Sequence, residues 1–442
     1  MGPITIGAAT FLITALLIAG CASKPTHQIF LMPAPDVYID GQIDPFIDND
    51  PISRGVQPSI LYATDRAPAT EDEKKKNPFY SDARGGVLRL GLAETEFGLD
   101  EEITWEEARR ISLLKNRTDQ YPIELSKVSE FGVLAESIDA FDGNVEPDDE
   151  PGRRFAEEIN RRLAISHTKD VYIYVHGYKV AFENPVLVAA ELWHFLGYNG
   201  AFIAYSWPST PKTLAYFEDL DDAINSARYL RTLILYIADH TDAEKIHVLG
   251  YSAGTRAVTR MLADFGMYGW FMDKEAIDRK LKLGNIIVVG SDVDRQILGG
   301  YLIDGALRIP EAITIYQSSG DSALGLSKWV FGRNRAGQVV DEGPIDPKIV
   351  EFFDEHPSLR LVDVTDAEGS TSGNGHSYFR TSPWVSSDVL MTLMYNLAPA
   401  DRGLVMSEKG PIWTYPADYV EKLRQALGRV NPALGVGATA EQ

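Results

Sequence analysis

The chain of 442 residues has a single cysteine, Cys21, so it carries no spare thiol into an oxidising compartment. Basic residues are scarce. Lys plus Arg number 42 against 63 Asp plus Glu, a formal net charge of −21. A surface this acidic repels nucleic acid and anionic lipid, which excludes a nucleic-acid partner. The H-x-H and H-E-x-x-H spacings of metallohydrolases are absent, and the eight histidines are scattered. No metal and no cofactor is therefore expected. An internal repeat is also missing, which argues against a solenoid. What is present is ordinary for a globular protein with a sizeable core: 45% apolar and 24% charged residues.

The one region unlike a globular domain is the start. Residues 4–20, "ITIGAATFLITALLIAG", form an uncharged apolar run that ends at Cys21. Its length suits a signal-peptide core and lies at the lower limit for a bilayer-spanning anchor. "LIAGC" resembles a bacterial lipobox. That resemblance implies a signal peptide over residues 1–20, cleavage before Cys21, and lipidation of Cys21. The resulting location is the bacterial cell envelope on the periplasmic side, and Ala22 is compatible with sorting to the outer membrane. "MGPIT" lacks the usual Lys or Arg, which leaves an uncleaved anchor as the alternative. Residues 21–56, rich in Asp, Pro and Gly without a clear period, read as a tether.

Beyond it the pattern turns to strands and helices. Over 57–170, "SILYATDR" and "GVLRLGLAETEFG" alternate as strands do. "TWEEARRISLL" begins with Thr104 as a candidate N-cap, and "RRFAEEINRRLAIS" has a helical period. Over 171–396, short apolar runs alternate with helical stretches: "VYIYVHG", "NPVLVAAELWHFLG", "GAFIAYSWP", "DLDDAINSARYLRTLILYIAD", "KIHVLG" and onward to "VSSDVLMTLMYNLA". This alternation predicts a mostly parallel central sheet flanked by helices, with a β-containing N-terminal extension. Residues 397–442 are left as a C-terminal helix and tail.

Gly250-Tyr251-Ser252-Ala253-Gly254 matches G-x-S-x-G where the strand "KIHVLG" gives way to a helix. Glycines two residues either side of the serine suit a turn in which backbones approach too closely for a Cβ. Such a turn raises Ser252 above the sheet edge and aims the Ala253 N–H at developing negative charge. A serine hydroxyl needs a base, and the base an orienting acid. In this architecture the order along the chain is Ser, acid, His. His27, His167, His176, His194, His240 and His247 precede Ser252 and are eliminated. His356 lies before the strand "LRLVDV", at its wrong end. His376 follows that strand in a loop at the carboxyl edge and is the candidate base. For the acid, Asp321 after "AITIYQSSG" is favoured by position, with Asp292 after "NIIVVGS" as the alternative. His176-Gly177 ends the first strong strand, so the N–H of Tyr178 is a second oxyanion donor, and His176 reads as structural. Tyr178 and Tyr251 suit pocket walls, and Trp207 in "SWPS" suits either an acyl pocket or the core.

These segments carry a resemblance. "VHGYKVAFENPVLVAAELWHFLGYNGAFIAYSWPS", "YSAGTR", "SDVDRQIL", "YQSSGDSALGLS" and "GHSYF" look like the α/β-hydrolase family catalogued as domain of unknown function 900. "LYATDRAP" and "LRLGLAETEFG" are similar to its N-terminal strands. The resemblance spans roughly residues 57–396. It implies an α/β-hydrolase fold with Ser252 as nucleophile, Asp321 as acid and His376 as base. Many members carry His and Met beside the nucleophile, where this chain has Tyr251 and Ala253. The family brings no settled substrate. The resulting expectation is a membrane-tethered serine hydrolase, esterase or lipase-like, acting on a small-molecule or lipid ester through an acyl-enzyme. The alternative is a non-catalytic envelope lipoprotein that uses the scaffold for binding.

Overall fold

The computed structural model describes residues 28–430 apart from short breaks at 42, 48–49, 52, 54–58, 76, 98–103, 118, 140–145, 212–215, 322–334, 339–346, 374 and 409. The expected signal peptide and Cys21 lie outside the described residues. Among the described residues, twelve strands form one sheet. Its antiparallel end comprises β1 (Gln28–Phe30), β2 (Ser59–Pro68), β3 (Tyr80–Phe97) and β4 (Pro122–Val133). The parallel part comprises β5 (Asp170–Val175), β6 (Ala201–Ser206), β7 (Lys245–Tyr251), β8 (Leu283–Val289), β9 (Ala312–Gln317) and β10 (Leu359–Asp363). The short β11 (Val405–Met406) and β12 (Trp413–Thr414) close the far edge. The order across the sheet is β1-β4-β3-β2-β6-β5-β7-β8-β9-β10-β12-β11, and every pairing from β2 through β12 is parallel.

Strands buried on both faces explain the near-continuous apolar runs in the sequence. In β5, Val171, Ile173 and Val175 face one core, while Tyr172 and Tyr174 face the other. Ile286 and Val288 in β8 join the first core, and Ile287 and Val289 the second. The first core is covered by α2 (Glu150–Ala164), which follows α1 (Trp105–Ser112), and by α4 (Tyr216–His240) and α5 (Gly254–Tyr268). The second is covered by α3 (Glu183–Phe195). Further along the chain, α6 (Lys274–Leu281), α7 (Arg295–Ile303), α8 (Pro347–Glu355), α9 (Tyr378–Thr381), α10 (Pro383–Tyr395) and α11 (Tyr419–Val430) complete the two layers.

The connection from β5 runs through α3 to β6 on one side. The next runs through α4 on the opposite face to β7 on the other side. The strand order reverses around β5, so a crevice opens at the carboxyl ends of β5 and β7, where ligands bind in open α/β sheets.

The tether expectation for 21–56 is corrected over its described part. β1 pairs with β4, and Val37, Tyr38, Ile43 and Phe46 are buried in the second core. The Tyr38 hydroxyl donates to Phe195 O at 2.8 Å, the Met32 N–H donates to Glu191 Oε1 at 2.6 Å, and Arg424 donates to the carbonyls of Asp36 and Ile39. Here the chain runs as a short 3-10 turn, Asp36–Gly41, with loops around it. Its burial follows from α3, α10 and α11 lying over it, and it has no periodicity of its own. β4, in which polar residues interrupt the apolar ones without strict alternation, also escaped the pattern reading.

Two polar groups deep in the molecule fix its stability. Arg402 pairs with Asp388 through two hydrogen bonds, 2.7 and 3.1 Å, and the carboxylate also accepts from Tyr316 and Tyr419. Replacing Arg402 by Met leaves that carboxylate without its cation. We expect a loss of about 3–5 kcal/mol in unfolding free energy, read by chemical denaturation. His194 is enclosed by Phe46, Phe97 and Tyr198, and burial lowers its pKa from the ordinary 6.5 to about 3. Between those values the unfolded chain binds a proton that the folded chain excludes. The contribution is therefore complete above about pH 6.5 and lost as pH falls toward 3. Denaturation midpoints measured across this window should fall less steeply in His194→Gln than in the wild type.

Candidate active site

Three loops meet at the carboxyl ends of the central strands. The loop after β7 carries Ser252, the only member of its turn with φ in the left-handed region, at 53°. A non-glycine residue held there costs about 1–3 kcal/mol, and such strain collects at functional turns. The turn is over-determined by its bonds. The Ser252 N–H donates to Val289 O at 2.9 Å, extending the pairing of β7 with β8. Its carbonyl accepts from the Thr255 N–H at 3.0 Å and the Thr255 hydroxyl at 2.6 Å. The expectation for the two glycines holds. A Cβ on Gly254 would lie 2.1 Å from His176 O, and one on Gly250 would lie 2.9 Å from a Val258 methyl. α5 can thus begin directly against the last turn of β5.

His376 reaches this serine from the loop after β10. Its Nε2 is 2.8 Å from Ser252 Oγ, and its Nδ1 is 2.6 Å from Asp321 Oδ2. All three residues are buried, with exposures of 5%, 6% and 4% for Ser252, His376 and Asp321. An ionised carboxylate can only accept a hydrogen bond, so Nδ1 carries the hydrogen, which leaves Nε2 with its lone pair toward the serine hydroxyl. The imidazole is therefore set to receive the Ser252 proton, and the carboxylate to stabilise the cation that forms.

Asp292, the alternative acid, points elsewhere. Its Oδ2 accepts from Arg256 Nε at 3.2 Å and Nη2 at 3.1 Å, and its Oδ1 lies 3.5 Å from Arg335. It anchors the start of α5 to the loop after β8. His356 follows α8 and bonds its own helix at Phe352 O, on the side of β10 away from the serine.

The loop after β5 completes the site. A Cβ on Gly177 would lie 2.9 Å from Ser252 Cβ, so the backbone leading into Tyr178 runs beside the serine. Lys179 also has a left-handed φ, 67°, which turns the loop back. On the other side stands Ala253, the residue immediately before α5. No acceptor among the described residues takes its N–H, which stands at the positive end of the helix dipole. His176 is a support. Its Nδ1–H donates to Gly177 O at 2.5 Å, its ring stacks on Trp207 at 4.9 Å, and burial followed by the Arg66 charge holds its pKa well below the imidazole range. Trp207 belongs to the core, with its indole N–H donating to His176 O at 2.6 Å. Tyr251 packs against the His376 ring at 5.1 Å and against Phe379 at 4.9 Å, and Tyr178 is partly buried.

Two contributors were not singled out from sequence. Arg66 in "LYATDRAP" is 1% exposed. Its guanidinium donates to Val180 O at 3.0 Å, Ser209 O at 3.1 Å, Ser81 O at 3.2 Å and Ser206 Oγ at 3.0 Å. It ties the Tyr178 loop to the loop after β6. Burial lowers its pKa to about 10, so it stays charged at neutral pH. Tyr378, two residues past His376, accepts from Gly290 N–H at 2.8 Å and donates to Tyr316 O at 2.9 Å, pinning the histidine loop to the ends of β8 and β9. The signal for Arg66 was an arginine near the end of a strand that opens with an apolar run. Tyr378 carried no signal beyond its nearness to His376.

Arg66→Gln removes the charge, shortens the side chain and leaves at most two N–H donors for the four acceptors of this clamp. We expect the folded variant to acylate Ser252 at least about tenfold more slowly, the effect of losing part of one oxyanion donor's alignment. A labelling rate equal to wild type would show that Arg66 serves folding alone.

The family model described as "Alpha/beta hydrolase of unknown function (DUF900)" matches residues 153–394. Uncharacterized protein alr1448 from Nostoc sp. is 40% identical over 62 residues, which is 14% of this chain. The chain spans only 16% of the length of that relative. A solved structure from Lactobacillus plantarum, named as a candidate cell surface hydrolase, is similar at 14% identity with a TM-score of 0.23, over 43% of this chain and 92% of that one. With the model match covering the parallel strands β5 to β10 and more than half of the chain, the chain belongs to the DUF900 family of α/β hydrolases.

Proposed function

We propose that this α/β hydrolase is a membrane-tethered serine hydrolase of carboxylic esters. The observation that carries the reading is the pair of short hydrogen bonds on His376, 2.8 Å to Ser252 and 2.6 Å to Asp321. Ser252 Oγ attacks the ester carbonyl carbon while His376 Nε2 takes its proton. Asp321 holds Nδ1–H and stabilises the imidazolium without itself taking a proton. The negative charge that develops on the carbonyl oxygen is met by the N–H groups of Ala253 and Tyr178. Collapse of the tetrahedral intermediate expels the alkoxide, which receives the proton from His376. Water then attacks the acyl-enzyme with the same base, and Ser252 is regenerated. An ester suits the site better than an amide because alkoxide leaves more readily than amine. The apolar run before Cys21 supports a lipid anchor that holds the domain at the cell envelope, on the periplasmic side.

The roles of the two aspartates separate cleanly. Asp321→Asn should lower kcat on an activated ester by about 10⁴-fold with the fold intact, because the amide favours the wrong imidazole tautomer. Asp292→Asn should keep most of the activity, since that carboxylate serves Arg256 and Arg335. Steady-state hydrolysis of a p-nitrophenyl ester measures both. A large loss in Asp292→Asn with little in Asp321→Asn would reverse the assignment.

A further inference from the structure

The buried site lies at the carboxyl edge of the sheet. At the opposite edge the molecule exposes a compact group of large apolar side chains. α5 starts beside Ser252, runs 15 residues and ends at that far edge in "GMYGWFM". There Met267 is 69% exposed, Tyr268 56%, Trp270 51% and Phe271 96%. Ile303, at the end of α7, is 71% exposed. It belongs to the same group, because Gly266 packs against the backbone of residues 304–306. The tip is held in shape. Arg308 donates to Met272 O at 2.8 Å, and Gly269 N–H bonds Phe265 O at 2.7 Å. Single exposed apolar residues are normal, but five grouped on a rigid corner with an aromatic majority mark an interaction surface.

The topology says what faces this corner. β1 is antiparallel to β4, and Gln28 stands opposite Glu124, near the start of β4. β4 runs in the same sense as β2, which is parallel to β6 and the central strands. Gln28 therefore lies at the amino edge of the sheet, the edge that carries Trp270 and Phe271. The apolar run of residues 4–20 precedes Gln28 by only a few residues. The first described residue after the segment that reads as a membrane signal or anchor thus lies at the edge where the apolar corner is displayed, and the seven residues between them span at most about 25 Å.

Charge narrows the partner. Around the corner Lys274, Arg279, Lys280 and Arg308 are interspersed with Asp273, Glu275, Asp278 and Asp304. Lys274 pairs with Asp278, Arg279 with Glu275, and Lys280 with Asp239. No excess of positive charge is available for anionic headgroups, and the chain as a whole carries −21. Trp and Tyr beside Phe and Met are the side chains that settle at the headgroup level of a bilayer.

We propose that Met267, Tyr268, Trp270, Phe271 and Ile303 form a membrane-contact surface that dips into the interfacial region of a bilayer. Contact rests on apolar insertion, so it does not need anionic lipid and resists salt. It orients the domain with the carboxyl edge of the sheet, and hence Ser252, facing away from the bilayer. Substrate then reaches the site from the aqueous side. The proposal rests on the envelope-tether part of the proposed function and is independent of the hydrolytic part.

The test uses the full chain with vesicles of zwitterionic phosphatidylcholine brominated along the acyl chains, which quench tryptophans close to the hydrocarbon. The expected result is quenching of the wild type that persists in high salt, loss of most of it in Trp270→Phe, and unchanged quenching in Ser252→Ala. Phe271→Asp should also lose it while keeping the native circular dichroism. Equal quenching in the wild type and Trp270→Phe overturns the proposal. So does a chain that floats with the vesicles but shows no bromine-dependent quenching, an outcome that would keep the anchor and discard the contact surface. Dimerisation abolished by Phe271→Asp would assign the corner to a second copy and equally overturn it. Failure of the hydrolase reading appears separately, as absence of ester turnover, and leaves the quenching result standing.

Discussion

The first turn of α5 lies against the last residues of β5 with no room between them, the backbone carbonyl of His176 standing where a Cβ on Gly254 would be. Much else depends on that approach. It sets the strained φ of Ser252, aligns the Ala253 N–H with the end of the helix, and brings the backbone after Gly177 alongside the serine. It also allows β7 to pair with β8 up to the Ser252 amide itself. The site is thereby built from backbone geometry first, and the side chains that reach into it need only short, rigid supports.

Those supports come from all parts of the chain. Arg66 of β2 holds the Tyr178 loop by its carbonyls. Tyr378 holds the histidine loop to two strand ends. Glu191 of α3 accepts from both Arg380, four residues past His376, and the Met32 amide, so the N-terminal segment braces the same loop. The buried Arg66 guanidinium is satisfied by three carbonyl oxygens and the Ser206 hydroxyl at once, and two of those carbonyls, of Val180 and Ser209, belong to loops beside the site.

Much of this was legible in the sequence, for identifiable reasons. Parallel strands buried on both faces leave unbroken apolar runs, and β5 through β10 were readable as such. The G-x-S-x-G turn has steric demands that only glycine meets, so Gly250 and Gly254 announced it. Chain order singled out His376, because six histidines precede Ser252 and His356 lies at the wrong end of its strand. Between Asp321 and Asp292 the residues themselves offered position alone, and the family resemblance favoured Asp321. The difference lies in partners 36 to 55 residues away, Arg256 for one and His376 for the other, and such pairing leaves no local trace. The N-terminal segment was misread as a tether for the same reason. Its Asp, Pro and Gly content describes a loop accurately, while its burial is imposed by helices more than a hundred residues distant.

The central claim is that Ser252 is a nucleophile activated by His376. It is tested most directly by incubating the full chain with a fluorophosphonate and mapping the adduct by peptide mass spectrometry. The account predicts a stoichiometric phosphonyl adduct on Ser252 of the wild type, sharply slowed when His376 is replaced by Ala. Folded protein that stays unlabelled at Ser252, or labels there equally well without the imidazole, would contradict it.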